Sequence, residues 1–167
     1  MIKIRAAEER DTERMAELLI AAWKTAYAGI VPEDYAAGLS GLKYVGIFLE
    51  NLRTGRETML VAEEDGIVWG FAGGKLLEEG DSDCEVVGLY VHPERQGAGC
   101  GAALLMAMFD IFRSKGRRRA SLWTLKGARN NAFYRKMGGA EIGERSYNFG
   151  GVDCAGIGFG FDIGAGR

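Results

Sequence analysis

The chain has 167 residues, 47% of them hydrophobic and 26% charged, which predicts one folded domain over residues 1–167. Its formal net charge of −2 excludes a broadly basic surface, and its charged N-terminus and short apolar runs give no membrane segment. We therefore expect neither nucleic acid nor a membrane as a partner. Three scattered cysteines and a single histidine lack zinc-ligand spacing, so we expect no metal site and a reduced, cytoplasmic location.

The first third of the chain predicts a short strand followed by helical segments. Ile2 and Ile4 alternate with charged residues, as in a strand, and Asp11 is expected to cap a helix that ends near Gly29. Two further helical segments are expected at residues 32–39 and 42–52.

The remainder of the chain predicts mainly strands. ETMLVAEED and GIVWGFAGGKLL flank Asp65 and Gly66, which indicates a hairpin. The strand CEVVGLYV then leads through HPERQGAGCG into an apolar helix around Leu104 that closes at Gly116. RASLWTL predicts another strand, ARNNAFYRKMGG a short helix, and the segments AEIGERSYNF and VDCAGIGFGFDI a final hairpin.

Together these elements predict an α/β (α+β) fold. Short hairpins make most of the sheet antiparallel, whereas the crossover through the Leu104 helix makes the strands on either side of it parallel. We expect a mixed sheet of about seven strands flanked by about four helices.

A glycine-rich loop stands at the start of the Leu104 helix. Its residues are Gln96, Gly97, Ala98, Gly99, Cys100 and Gly101. Free backbone N–H groups and the helix dipole favour a phosphate at such a position. A P-loop is excluded because no Gly-Lys-Ser or Gly-Lys-Thr occurs, and the dinucleotide fingerprint fits poorly because Ala102 replaces its third glycine. A tight turn that binds no ligand is the alternative.

The run LYVHPERQGAGCGAALL resembles the acetyl-CoA signature of the GNAT superfamily of N-acetyltransferases. Gln96, Gly99 and Gly101 fill its Q/R-x-x-G-x-G/A pattern, and ARNNAFYRKMGG is similar to the FYxKxG helix of that family. The resemblance covers nearly the whole chain. It implies a GNAT fold and the transfer of an acetyl group from acetyl-CoA to a primary amine of a small molecule or a protein N-terminus, through a tetrahedral intermediate.

The resemblance also implies how acetyl-CoA would be bound. Its pantetheine would pair like an added strand with Leu89, Tyr90 and Val91, and a backbone N–H near Val91 would stabilise the oxyanion. Where relatives carry an asparagine this chain has Gly127 and Ala128, so we expect Asn130 to supply that contact. Asn131 and a helix-capping role for either asparagine are the alternatives. The pyrophosphate would lie on the backbone amides of Gln96, Gly97, Ala98, Gly99, Cys100, Gly101 and Ala102.

Two catalytic residues are expected from the same resemblance. Tyr134 occupies the tyrosine of the FY pair and would protonate the departing thiolate, with simple packing against the sheet as the alternative. Glu85 would be the base that deprotonates the amine, with a surface charge at a strand end as the alternative. Strand periodicity places Glu85 on one face with Val87, Leu89 and Val91.

Other residues allow a functional and a structural interpretation. Trp23 and Tyr27, with Glu33 and Asp34, could form a wall for a cationic amine, although the same spacing suits a core and a cap. Cys100 is expected to be a bystander. The arginine run 117–119 is expected to be a solvated turn, with a phosphate contact as the alternative.

Two questions stay open at this level. A non-catalytic module that senses acyl-CoA would use the same loop, if Tyr134 and Glu85 only pack. The glycine-rich and aromatic tail strands could also pair across a two-fold axis, which makes a homodimer possible.

Overall fold

The computed structural model describes residues 1–164, and its strands form one seven-stranded sheet. The strands are β1 (Lys3–Ala6), β2 (Thr58–Glu64), β3 (Ile67–Leu76), β4 (Cys84–Val91), β5 (Arg119–Leu125), β6 (Ala140–Phe149) and β7 (Val152–Asp162). The α-helices of this described part are α1 (Thr12–Ala26), α2 (Glu33–Ala37), α3 (Gly41–Thr54), α4 (Cys100–Ser114) and α5 (Asn131–Lys136). About four helices were expected and five are present, and the two helical segments predicted before β2 are the separate helices α2 and α3.

The strand order is β1-β2-β3-β4-β5-β7-β6. Every neighbouring pair is antiparallel except β4 and β5, which are parallel and joined by α4, as the crossover predicted. The β2–β3 hairpin turns through Asp65 at φ 53° and Gly66 at φ 77°. Two successive residues at positive φ are what a two-residue turn of the primed type requires, so the Asp-Gly signal is confirmed.

The sheet buries side chains on both faces. On one face, α4 contributes Leu104, Leu105, Met108 and Phe112, all at most 1% exposed. On the other face, α1 and α3 pack apolar residues such as Met15, Leu18 and Phe48 against Phe71 of β3. The helical spacing read from the sequence is therefore the spacing of core positions.

The first helix is not capped as expected. Asp11 precedes α1, but its carboxylate does not bond to the helix amides. It accepts hydrogen bonds from the Arg5 guanidinium at 2.7 and 3.0 Å and from the Glu8 amide at 2.8 Å. The side chain that was expected to cap a helix instead ties β1 to the turn before α1.

Strands β4 and β5 diverge along their length. Only residues 84–86 of β4 pair with residues 120–122 of β5. Beyond that point β5 continues beside β7 as far as Leu125, and β4 continues beside β3 as far as Val91. We call the wedge between residues 87–91 of β4 and 123–125 of β5 the β4–β5 cleft.

A β-bulge in β4 changes which residues share a face. Gly73 of β3 is opposite Gly88, but the next residue, Gly74, is opposite Val86, so Val87 is an extra residue. Cys84 and Val86 before the bulge, and Leu89 and Val91 after it, all pack toward the α4 core. Glu85 therefore faces the α1 and α3 side, and the expectation that it shares a face with Leu89 and Val91 was wrong.

Candidate active site

The glycine-rich loop presents free backbone donors at the start of α4. Gly97 at φ 78° and Gly99 at φ 85° turn the chain, and Gly99 directly precedes the helix. Ala103 is the first helix residue whose amide bonds to a carbonyl, that of Gly99 at 3.0 Å. Within residues 1–164, no backbone acceptor bonds to the amides of Gly97, Gly99, Cys100, Gly101 or Ala102. Five unpaired donors at the positive end of a long helix form an anion-binding surface.

This loop lies at the open end of the β4–β5 cleft. The side-chain amide of Gln96 donates a hydrogen bond to the Val91 carbonyl at 3.4 Å and so holds the loop to the last residue of β4. Leu89, Tyr90 and Val91 form the β4 wall of the cleft, where no strand pairs with them on the β5 side. The Tyr90 side chain leaves the sheet on the opposite face, where its ring lies 5.2 Å from that of Phe71.

Tyr134 of α5 is 3% exposed and belongs to the α4 core. Its ring lies 5.3 Å from Phe133 and 5.6 Å from Phe159, centroid to centroid. Burial raises the pKa of its hydroxyl strongly, and the neighbouring phenols of Tyr27 and Tyr90 raise it further, whereas Asn130 lowers it. Tyr134 is therefore protonated at physiological pH and can only donate its proton, which is what a general acid must do.

A polar cluster lies beside Tyr134. The hydroxyl of Tyr27, the residue after α1, lies 3.4 Å from the Thr124 hydroxyl of β5. Burial raises the pKa of Tyr27, while Thr124 and Asn130 lower it. The Asn130 amide oxygen is buried and, among the described residues, accepts no hydrogen bond. It is therefore a free acceptor in the interior.

Neither asparagine caps α5 through its side chain. Asn131 instead donates to the carbonyl of Leu125 at 3.0 Å, which fixes the turn between β5 and α5. The capping alternative therefore holds for Asn130 by position, since it is the N-cap residue of α5, although its side chain makes no capping bond. It was wrong for Asn131, which is the first residue of the helix. Tyr27 and Thr124 were not expected beside Tyr134. No local signal in the sequence could reveal the contact between Tyr27 and Thr124, because they are 97 positions apart along the chain.

Glu85 is paired with a cation. Its carboxylate lies 3.4 Å from the Lys75 ammonium on β3, and its side chain is 18% exposed. Across the same face, the half-buried Glu57 lies over Gly73, where a β-carbon would be 3.0 Å from the Glu57 Oε2. Glu57 carries no functional signal in the sequence, because it is only the first residue of the predicted strand ETMLVAEED. The pairing of β2, β3 and β4 brings it beside the bulge.

The residues set aside in the sequence have structural roles. Cys100 is 1% exposed, and burial raises the pKa of its thiol to about 11, so it is not a nucleophile. The amides of Arg118 and Arg119 bond to the Asp83 carboxylate beyond the C-terminal end of α4, far from the loop at its N-terminal end. Trp23 packs edge-on against Tyr27 at 4.9 Å as part of an aromatic cluster.

A family model described as the acetyltransferase (GNAT) family matches residues 13–139, which include the glycine-rich loop and Tyr134. The chain belongs to this family. As a GNAT protein it is an acyltransferase, and its seven-stranded sheet with a parallel β4–β5 pair is the GNAT fold. In residues 1–164 of this GNAT protein, no helix is long and apolar enough to cross a membrane.

Individual relatives span nearly the full length of this GNAT protein. The uncharacterised N-acetyltransferase YuaI of Bacillus subtilis (strain 168) is 26% identical over 163 residues, covering 96% of this chain and 93% of YuaI. The PaiA N-acetyltransferase of Thermoplasma acidophilum, solved with coenzyme A, has a TM-score of 0.72 and 24% identity, covering 94% of this chain and 98% of PaiA. YncA of Salmonella typhimurium, solved with its cofactor acetyl-CoA, has a TM-score of 0.73 and 20% identity, covering 100% of this chain and 96% of YncA.

Proposed function

We propose that this protein transfers the acetyl group of acetyl-CoA to a primary amine of a small molecule or a protein N-terminus. The observation that carries the proposal is the junction of the glycine-rich loop and the β4–β5 cleft. Unpaired amides at the start of α4 adjoin a stretch of β4 that has no partner on its β5 side. One extended ligand with an anionic part and an amide-bearing arm would use both features.

The residues present fit acetyl-CoA, which is the co-substrate of the family. The five unpaired amides of the loop would hold its pyrophosphate, whereas the amides of Gln96 and Ala98, also expected there, already bond to the carbonyls of Pro93 and Arg95. Leu89, Tyr90 and Val91 would pair with its pantetheine arm. The free amide oxygen of Asn130 would accept a hydrogen bond from that arm. PaiA and YncA, whose structures contain coenzyme A and acetyl-CoA, share the fold and support this assignment.

The chemistry of the proposed reaction is divided among three groups. A backbone N–H near Val91 would stabilise the oxyanion formed when the amine attacks the thioester, a contribution of about 3 kcal/mol for a well-aimed donor. Tyr134 would give its proton to the departing sulfur. The amine must also lose a proton before attack, and the sequence-based candidate for this step is Glu85. Its carboxylate is already engaged by the Lys75 ammonium at 3.4 Å.

Calorimetric titration with acetyl-CoA, beside dephospho-CoA and NAD, tests the binding part of this proposal. We expect acetyl-CoA to bind in the micromolar range and NAD not to bind. A thiol-release assay with a panel of primary amines then tests transfer. Absence of acetyl-CoA binding would refute the proposal, and binding without release of CoA in the presence of any amine would favour the non-catalytic sensor.

We also propose that the whole chain acts as one catalytic domain in the cytoplasm. The three cysteines are free and buried, which supports a reducing compartment. β6 is an edge strand with mostly exposed side chains, and it supports a possible homodimer through that edge. Sedimentation of the purified protein measures the oligomeric state.

A further inference from the structure

A cavity of about 160 Å³ lies between α1, α3 and the bulged part of the β3–β4 pair. It is on the sheet face opposite α4. Its walls include the rings of Tyr44, Phe48, Phe71 and Tyr90 and the backbone of Gly73 and Gly88. This cavity therefore adjoins the point where β4 loses its β5 partner.

Glu57 is the only ionisable carboxylate in the described lining of this cavity. Gly73 makes room for it, because any larger residue there would press on its Oε2 at 3.0 Å or less. Gly73 is paired with Gly88, the residue that follows the bulged Val87. The Glu57 side chain thus reaches from the residue before β2 over Gly73 of the neighbouring strand β3, which is opposite the bulged part of β4.

The charges around Glu57 leave it without a partner. Lys75 of β3 is engaged by Glu85 of β4 at 3.4 Å. Among residues 1–164, no side chain bonds to or ion-pairs with the Glu57 carboxylate. Burial raises its pKa, Lys75 and Arg56 lower it, and Glu85 raises it. The other titratable groups in the cavity wall are the phenols of Tyr44 and Tyr90, whose own pKa values burial raises.

A half-buried carboxylate with aromatic neighbours and no cation bonded to it is costly to keep charged, unless a cationic ligand pairs with it. Aromatic rings are also favourable neighbours for an ammonium group. We propose that Glu57 binds the protonated acceptor amine and takes its proton before attack. This inference rests on the proposed acetyl transfer.

The proton balance of the step is closed. The ammonium nitrogen gives one proton to the Glu57 carboxylate, and its freed electron pair forms the bond to the thioester carbon. When the carbon–sulfur bond breaks, the sulfur receives the Tyr134 proton, and the second nitrogen proton restores the phenol. Glu57 then releases its proton to water, so the products are the amide, CoA and one proton.

The test compares Glu57→Gln with Glu85→Gln, because both changes remove a charge and keep the shape of the side chain. Each variant is assayed with the best acceptor of the amine panel and with a fluorinated analogue whose nitrogen is already unprotonated at neutral pH. We expect Glu57→Gln to lower kcat/KM at least 100-fold for the basic amine and only a few-fold for the analogue. Raising the pH should shrink the loss for the basic amine. Glu85→Gln removes the competing candidate for the base, and we expect it to affect both acceptors to the same extent.

Thermal melting shows that each variant is folded, and titration with acetyl-CoA shows that it still binds the co-substrate. If Glu57→Gln does not fold, Glu57→Asp replaces it, and we expect a smaller loss with the same dependence on the acceptor. Equal losses for both acceptors would show that Glu57 is only structural, and a selective loss in Glu85→Gln would make Glu85 the base. Either result overturns the inference. A wild-type protein that acetylates no amine would overturn the proposed function as well.

Discussion

Gly99→Ala separates the backbone strain of the loop from its role in binding. Gly99 has φ 85°, a conformation that costs an L-residue about 1 to 2 kcal/mol, and a β-carbon there would meet nothing within 4 Å. The stability loss should therefore come from the backbone alone. For a chain of this size it corresponds to a fall in Tm of about 2 to 8 °C.

The open space beside Gly99 is where the proposed pyrophosphate lies, so the new methyl group and any relaxation of the loop should weaken binding. We expect acetyl-CoA affinity to fall at least about tenfold, which equals 1.4 kcal/mol. Gly116→Ala is the matched control, because Gly116 has φ 76° with equally open surroundings but lies beyond the far end of α4. It should lower Tm by a similar amount and leave acetyl-CoA binding unchanged.

Melting curves measure the stability of the two variants, and calorimetric titration measures their affinity for acetyl-CoA. Gly99→Ala that binds acetyl-CoA like the wild type would refute the assignment of the loop as an anion cradle. Equal loss of binding in both variants would show that general destabilisation, and not the loop, is responsible.

Two further results are expected. Tyr134→Phe should fold normally and bind acetyl-CoA, because the ring stays in the core, but should lower kcat about 100-fold in the thiol-release assay; full turnover would remove Tyr134 from the mechanism. Asp11→Asn should lower the free energy of unfolding by about 3 kcal/mol in urea titration, because it leaves the Arg5 guanidinium with a weaker partner; a change below 0.5 kcal/mol would contradict the structural role of this pair. Burial alone would raise the pKa of Asp11, but bonds from Arg5 and the Glu8 amide outweigh it and lower that pKa. The wild type should therefore lose this stabilisation as the pH falls below about 4, through the depressed pKa of the folded state, whereas Asp11→Asn should lose less over that range.

The sequence determined the features that depend on neighbouring residues. Asp65 and Gly66 form a turn because their backbone tolerates positive φ, and the glycine-rich loop precedes α4 because glycines permit that turn into a helix. The order of strands and helices and the parallel β4–β5 pair follow from hairpin and crossover lengths. The family resemblance depended on the same local runs.

Tertiary structure alone decided the features that depend on pairing between distant segments. The extra Val87 in β4 moved Glu85 to the face opposite Leu89, because one inserted residue inverts the alternation of a strand. Glu57 lies over Gly73, opposite the bulge, because β2 pairs with β3 and β3 with β4. Tyr27 reaches Thr124 through the packing of α1 on the sheet. Register and packing are set by the whole core, so the residues beside the site could not be read from any single stretch of the sequence.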